Sequence, residues 1–85
     1  MDHFAYRDGT LYAEALPVAA LARDYGTPCY IYSRSALEAA FSEYQAALAG
    51  CEHLICYAVK ANSNLAVLDT LARLGAGFDI VSGGE

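Results

Sequence analysis

The sequence predicts an α/β fold built on parallel strands, and three features point to it. Apolar runs of strand length alternate with helical stretches carrying one apolar face. The run Leu54-Ile55-Cys56-Tyr57-Ala58-Val59 is apolar without alternation, as in a strand covered on both faces. A helical pattern over 65–74 and a second apolar strand over 77–82 follow at the spacing of a right-handed βαβ unit.

The elements can be justified in order. Two short strands, 4–7 and 10–14, flank Asp8-Gly9, a pair that favours tight hairpins. Pro17 suits the first turn of a helix whose apolar face carries Leu21 and Tyr25 and which Gly26 stops. The aromatic and β-branched run Cys29-Tyr30-Ile31-Tyr32 predicts a strand. Ser35 and Glu38 have the S-x-x-E spacing of a capping box at the start of a second helix. Leu37, Phe41, Tyr44 and Leu48 would form its buried stripe, and Gly50 closes it. Asn64 is placed to cap a third helix with Leu65, Leu68 and Leu71/Ala72 on its apolar side, ended by Gly75. The second strand then leads to Ser82-Gly83-Gly84-Glu85, where another helix is expected.

At 85 residues the chain holds at most one small domain. It is 56% hydrophobic and 18% charged, apolar for its size, so some apolar surface is expected to meet a partner or further chain. The net charge is −5, and its five basic residues are dispersed. A nucleic-acid binder needs a clustered basic face, so that class is excluded. No apolar stretch approaches the roughly 20 residues of a membrane span, and the start Met-Asp-His-Phe lacks a signal-peptide pattern, which predicts a cytoplasmic protein. Cys29, Cys51 and Cys56 have neither even number nor C-x-x-C spacing and are expected to pack as small hydrophobes. His3 and His53 show no metal-ligand spacing.

Lys60, the sole lysine, ends the first apolar strand. The carboxyl ends of parallel strands are where α/β proteins bind ligands. A lysine there can simply reach into solvent; desolvated among apolar neighbours, an amine becomes a nucleophile for carbonyl carbon. Asp79 lies inside the second strand between Phe78 and Ile80. It is either a backbone-bonded structural aspartate or a carboxylate within electrostatic reach of Lys60. Glu85 is either a functional carboxylate or a favourable charge in the first turn of a following helix.

The motifs Tyr57-Ala58-Val59-Lys60-Ala61-Asn62 and Gly77-Phe78-Asp79-Ile80-Val81-Ser82-Gly83-Gly84-Glu85 together resemble the diaminopimelate decarboxylase family. Tyr6-Arg7-Asp8-Gly9 and the Tyr-Gly-Thr-Pro stretch at 25–28 are similar to that family's opening, so the likeness runs the whole length of the chain. Ornithine and arginine decarboxylases of the same fold often have cysteine where this chain has Ala61.

The resemblance implies the opening βαβ part of a pyridoxal-phosphate-binding TIM (β/α)8 barrel, preceded by strands that join a β-rich domain. Residues 1–34 would contribute to the β domain and 35–85 would begin the barrel. It implies that Lys60 carries pyridoxal 5'-phosphate covalently and that Asp79 lies in the cofactor pocket. Glu85 would match an acidic position at the start of the next helix. The implied reaction is decarboxylation of meso-2,6-diaminopimelate to L-lysine, with a small amino-acid substrate and a homodimeric full-length enzyme. The family's phosphate-binding, substrate-binding and dimer-interface residues would lie beyond residue 85, so the 85 residues alone are expected to be inactive. The alternatives are another pyridoxal-phosphate barrel decarboxylase or racemase, or a non-catalytic fragment.

Overall fold

A computed structural model describes residues 2–85. It divides into two compact units, Met1–Ser35 and Ala36–Glu85.

The first unit opens with a three-stranded antiparallel sheet in the order β1-β2-β3, formed by Phe4–Arg7, Thr10–Ala13 and Leu16–Pro17. Asp8 and Gly9 link β1 to β2 with φ of 50° and 77°, the positive values that a type I′ hairpin turn requires at both central residues. Glu14 also has positive φ, 53°, and with Ala15 it turns β2 into β3. Helix α1 spans Val18–Tyr25, and Gly26 ends it with φ of 85°. Residues 29–32, expected as a strand, form no strand. The Tyr30 and Tyr32 rings stack on each other at 6.4 Å, and Tyr30 is 89% exposed. Side-chain preference alone does not make a strand, which also needs a neighbour to take its backbone hydrogen bonds.

Helix α2, Arg34–Ala47, starts one residue before the expected cap, which puts Ser35 inside its first turn. The capping box is therefore displaced: the Ser35 N–H donates to Glu14 Oε2 at 3.2 Å, a carboxylate from another turn of the chain. Of the predicted α2 stripe, Leu37 and Phe41 enter the core, whereas Tyr44 is exposed and Leu48 lies past the helix end.

In the second unit, β4 (Cys56–Ala58) and β5 (Gly77–Asp79) pair in parallel, connected through α3 (Leu65–Arg73). The register sets Cys56 opposite Gly77, Tyr57 opposite Phe78 and Ala58 opposite Asp79. The α/β prediction and the βαβ unit thus stand. The strands are shorter than expected and are not buried on both faces: Leu54 is exposed, as are Cys56, Phe78 and Asp79. The core of this unit lies where α2 and α3 meet the side of the pair that carries Ile55 and Tyr57.

That core holds Phe41, Val67 and Leu71, with Leu37, Ile55, Tyr57, Leu74 and Ala76 packed against them. The inward face of α3 is therefore Val67-Leu71-Leu74 rather than the expected Leu65-Leu68-Leu71, and Leu65 is exposed. Both sets have helical spacing, and the position of the sheet selects between them. Asn64 caps α3 as predicted, its side chain accepting from the Ala66 N–H at 2.9 Å. At the other end, Ala76 N–H donates to Leu71 O and Gly75 N–H to Ala72 O, the Schellman pattern, with Gly75 at φ 98°. The three cysteines, expected inside, are all free and exposed.

Candidate functional site at the carboxyl ends of the parallel strands

Beyond Ala58 the chain does not continue as a strand. It tightens into a single 3-10 turn, Val59–Ala61, with Lys60 at its centre. Val59 is the anchor, only 2% exposed. The Asn62 N–H donates to Val59 O at 3.1 Å and closes the turn. The Tyr57 hydroxyl donates to the Asn62 carbonyl at 2.9 Å. The Asn62 side chain accepts from the Asn64 N–H at 3.0 Å, and Asn64 in turn caps α3. Asn62 is thus tied back to β4 through Tyr57 and Val59 and forward to α3 through Asn64.

Lys60 itself is exposed, so the apolar neighbours that would desolvate an amine at a strand end do not surround it in this chain. Asp79, expected inside a buried run, is the exposed last residue of β5. Because the strands are parallel and Ala58 pairs with Asp79, both residues lie at the same carboxyl end of the pair. Among the described residues no ion pair or hydrogen bond joins them. Glu85 closes the loop after β5: its Oε1 accepts from the Val81 N–H at 3.0 Å and from Ser82 Oγ at 3.2 Å. Its Oε2 is buried with no hydrogen-bond partner, a polar atom in want of a donor.

A cleft of about 450 Å³ lies in the first unit among Leu16, Tyr25, Tyr30 and Ile31 and contains none of these residues. Its wall is mostly apolar, with Glu14, Ser33 and Arg34 as its charged and polar members. Among the described residues no cluster of His, Cys, Asp or Glu is arranged to hold a metal ion, and no helix is long and apolar enough to cross a membrane.

Sequence reasoning missed the polar role of Tyr57, which was read only as part of an apolar strand. The signal was present: a tyrosine placed in a packed strand must still find a partner for its hydroxyl. Glu14 was missed too, because its bonds to Ser33 Oγ at 2.7 Å and to Ser35 N–H span about twenty residues of sequence.

Residues 34–85 match the family model described as the pyridoxal-dependent decarboxylase, pyridoxal binding domain. The chain belongs to this family. Within the pyridoxal-dependent decarboxylases it is 60% identical over 85 residues to the diaminopimelate decarboxylase of Pseudomonas aeruginosa, matching all of this chain and 20% of that one. It is also 60% identical over 86 residues to the diaminopimelate decarboxylase of Vibrio cholerae, with 100% of this chain and 21% of that protein covered. The crystal structure of diaminopimelate decarboxylase from M. jannaschii in co-complex with L-lysine superposes with a TM-score of 0.92 at 36% identity, over 98% of this chain and 20% of that one. The chain therefore spans about a fifth of the length of these relatives. The expected family resemblance is shown, and the βαβ unit fits the start of this family's pyridoxal-binding barrel.

Proposed function

We propose that this chain is the lysine-bearing segment of a pyridoxal-phosphate-dependent decarboxylase that converts meso-2,6-diaminopimelate to L-lysine and CO2. The observation that carries this reading is 60% identity along the entire chain to enzymes of that one activity. The geometry is compatible with the cofactor: Lys60 offers a primary amine that no carboxylate occupies, on a clasped turn at the ligand-binding end of the strands.

In this reading Lys60 is the residue that would hold the cofactor covalently, through its amine. Asp79 places a negative charge at the same strand end, where it favours a cationic cofactor. Glu85 orders the loop after β5 through Val81 and Ser82, and its free Oε2 can accept one further donor. When bound, the cofactor supplies the electron sink that takes up the charge left as CO2 departs. Residues 1–34 contribute strands to a β-rich domain and residues 35–85 open the barrel. The full-length enzyme is a cytoplasmic homodimer that acts on a small amino acid and binds neither nucleic acid nor membrane.

The test uses the full-length protein carrying this segment. Borohydride reduction followed by peptide mapping should place the pyridoxyl label on Lys60, and CO2 release should be faster from meso-diaminopimelate than from ornithine or arginine. Lys60→Ala should abolish the label and lower decarboxylation by orders of magnitude with an unchanged melting temperature, because the side chain is exposed. Asp79→Asn should weaken cofactor retention by about tenfold, the size of one charge-assisted contact. A label on a different lysine would refute the assignment.

A further inference from the structure

We propose that Tyr57 is a positioning residue for Lys60, its hydroxyl fixing the turn on which the amine is presented. The inference rests on the reading of Lys60 as the cofactor lysine. It starts from the two environments that one side chain spans. The Tyr57 ring packs against the cluster of Phe41, Val67 and Leu71, so its place is set by the core. Its hydroxyl leaves that cluster and donates to the carbonyl of Asn62, five residues along the chain. The bond straddles Lys60 and ties the far side of its turn to the near side.

Such a tether matters because a single 3-10 turn is weak by itself. Its hydrogen bonds are poorly aligned and isolated turns rarely persist. Val59, buried, holds the entry to this turn, and the Asn62 N–H to Val59 O bond closes it. Without the tyrosine hydroxyl the exit would depend on the Asn62–Asn64 side-chain bond alone. The amine of Lys60 sits at the end of a long flexible stem. Fixing the backbone beneath it removes one source of disorder and increases the fraction of time the amine can attack. The hydroxyl touches neither substrate nor cofactor in this scheme and acts only through the turn.

Tyr57→Phe in the full-length protein removes one oxygen and keeps the ring. In the cofactor-free protein, amide hydrogen exchange at Asn62 and Asn64 should quicken by about fivefold, the equivalent of one neutral hydrogen bond, with the core amides of α3 unchanged. Covalent capture of added pyridoxal phosphate, followed by absorbance and fixed by borohydride, should slow by a similar factor. In turnover, kcat should fall while KM stays within about twofold, the pattern of a lost contribution to reaction rather than to binding. Tyr57→Leu, which also removes ring packing, should additionally lower the melting temperature.

Unchanged exchange at residues 59–64, or unchanged capture, would overturn the proposal. A Tyr57→Phe protein that loosens throughout or fails to fold would also overturn it, by making the hydroxyl a general stabiliser. A label on a lysine other than Lys60 would remove the reading on which the proposal rests. That failure is recognised in the unmutated protein, before any variant is compared.

Discussion

Glu14 shows how a single side chain can organise a surface. It turns β2 into β3 with positive φ, a conformation that costs a non-glycine residue free energy, so the local fold must hold it there. The Glu14 N–H donates to His3 O at 2.7 Å, and Arg7 Nη2 donates to the Glu14 carbonyl at 3.2 Å. Its carboxylate then receives the Ser33 hydroxyl and the Ser35 N–H, while His3 Nδ1 lies 2.7 Å from Ser35 Oγ. The Ser33 hydroxyl first, then the Ser35 backbone N–H, holds the Glu14 carboxyl below its ordinary value of 4.5. A folded-state pKa below the unfolded one means that the stabilisation is present above pH 4.5 and is lost as the pH falls below that value through the folded pKa. Glu14→Gln in the full-length protein should therefore lower the melting temperature near neutrality. The difference from the unmutated protein should close as the pH falls below 4.5, flattening the acid limb. An acid limb identical to that of the unmutated protein would show that the carboxylate contributes nothing there.

Among the elements, the parallel pair is the one whose sequence leaves least freedom. A Cβ built on Gly77 would stand 3.0 Å from Cys56 Sγ and 3.4 Å from Leu54 Cδ2. Their register places Gly77 directly opposite Cys56, so the side chain missing from β5 makes room for the one on β4. Gly77→Ala should cost about 1–3 kcal/mol by overpacking. Cys56→Ala in the same chain should recover most of that cost, since neighbours in contact are not additive. Denaturant unfolding of the two single variants and the double variant, each made in the full-length protein, measures the coupling, and simple additivity would count against the steric account. Helix α3 illustrates the opposite case. Its ends were readable because Asn64 and Gly75 each do a local job, in capping and in αL termination. Its buried face was not, because leucines surround much of the helix and only the sheet chooses among them.

For the whole molecule, the distribution of apolar surface is the governing fact. Among the described residues only Ala13, Phe41, Val59, Val67 and Leu71 are buried hydrophobics, whereas Tyr25, Tyr30, Leu65 and Val81 are each at least 80% exposed. The two strands of the parallel pair also leave unpaired edges. Prepared as an 85-residue polypeptide, the chain should associate or remain partly molten in water. Light scattering, together with near-ultraviolet circular dichroism, checks this, and a monodisperse monomer with a sharp cooperative melt would contradict it.

The sequence by itself determined the features that depend on near neighbours. These were the Asp8-Gly9 hairpin, the stop at Gly26, the cap at Asn64, the Schellman end at Gly75 and the order strand–helix–strand that makes β4 and β5 parallel. It also placed Lys60 and Asp79 at one end of that pair, because parallel connection alone brings the carboxyl ends together. Tertiary structure decided everything that needs a distant partner. Cys29–Tyr32 found no neighbouring strand and stayed unpaired, and Ser35 surrendered its capping role to the remote Glu14. Apolar strand sequence promised burial to Leu54, Phe78 and Asp79, but burial is a property of what lies across a surface, and all three are exposed. The turn beneath Lys60 stands between the two cases, since its partners are near in sequence but the Tyr57 ring is placed by the core. Its geometry is set by a tyrosine hydroxyl that crosses the lysine to reach a carbonyl, and no local preference of the residues in between specifies that bond.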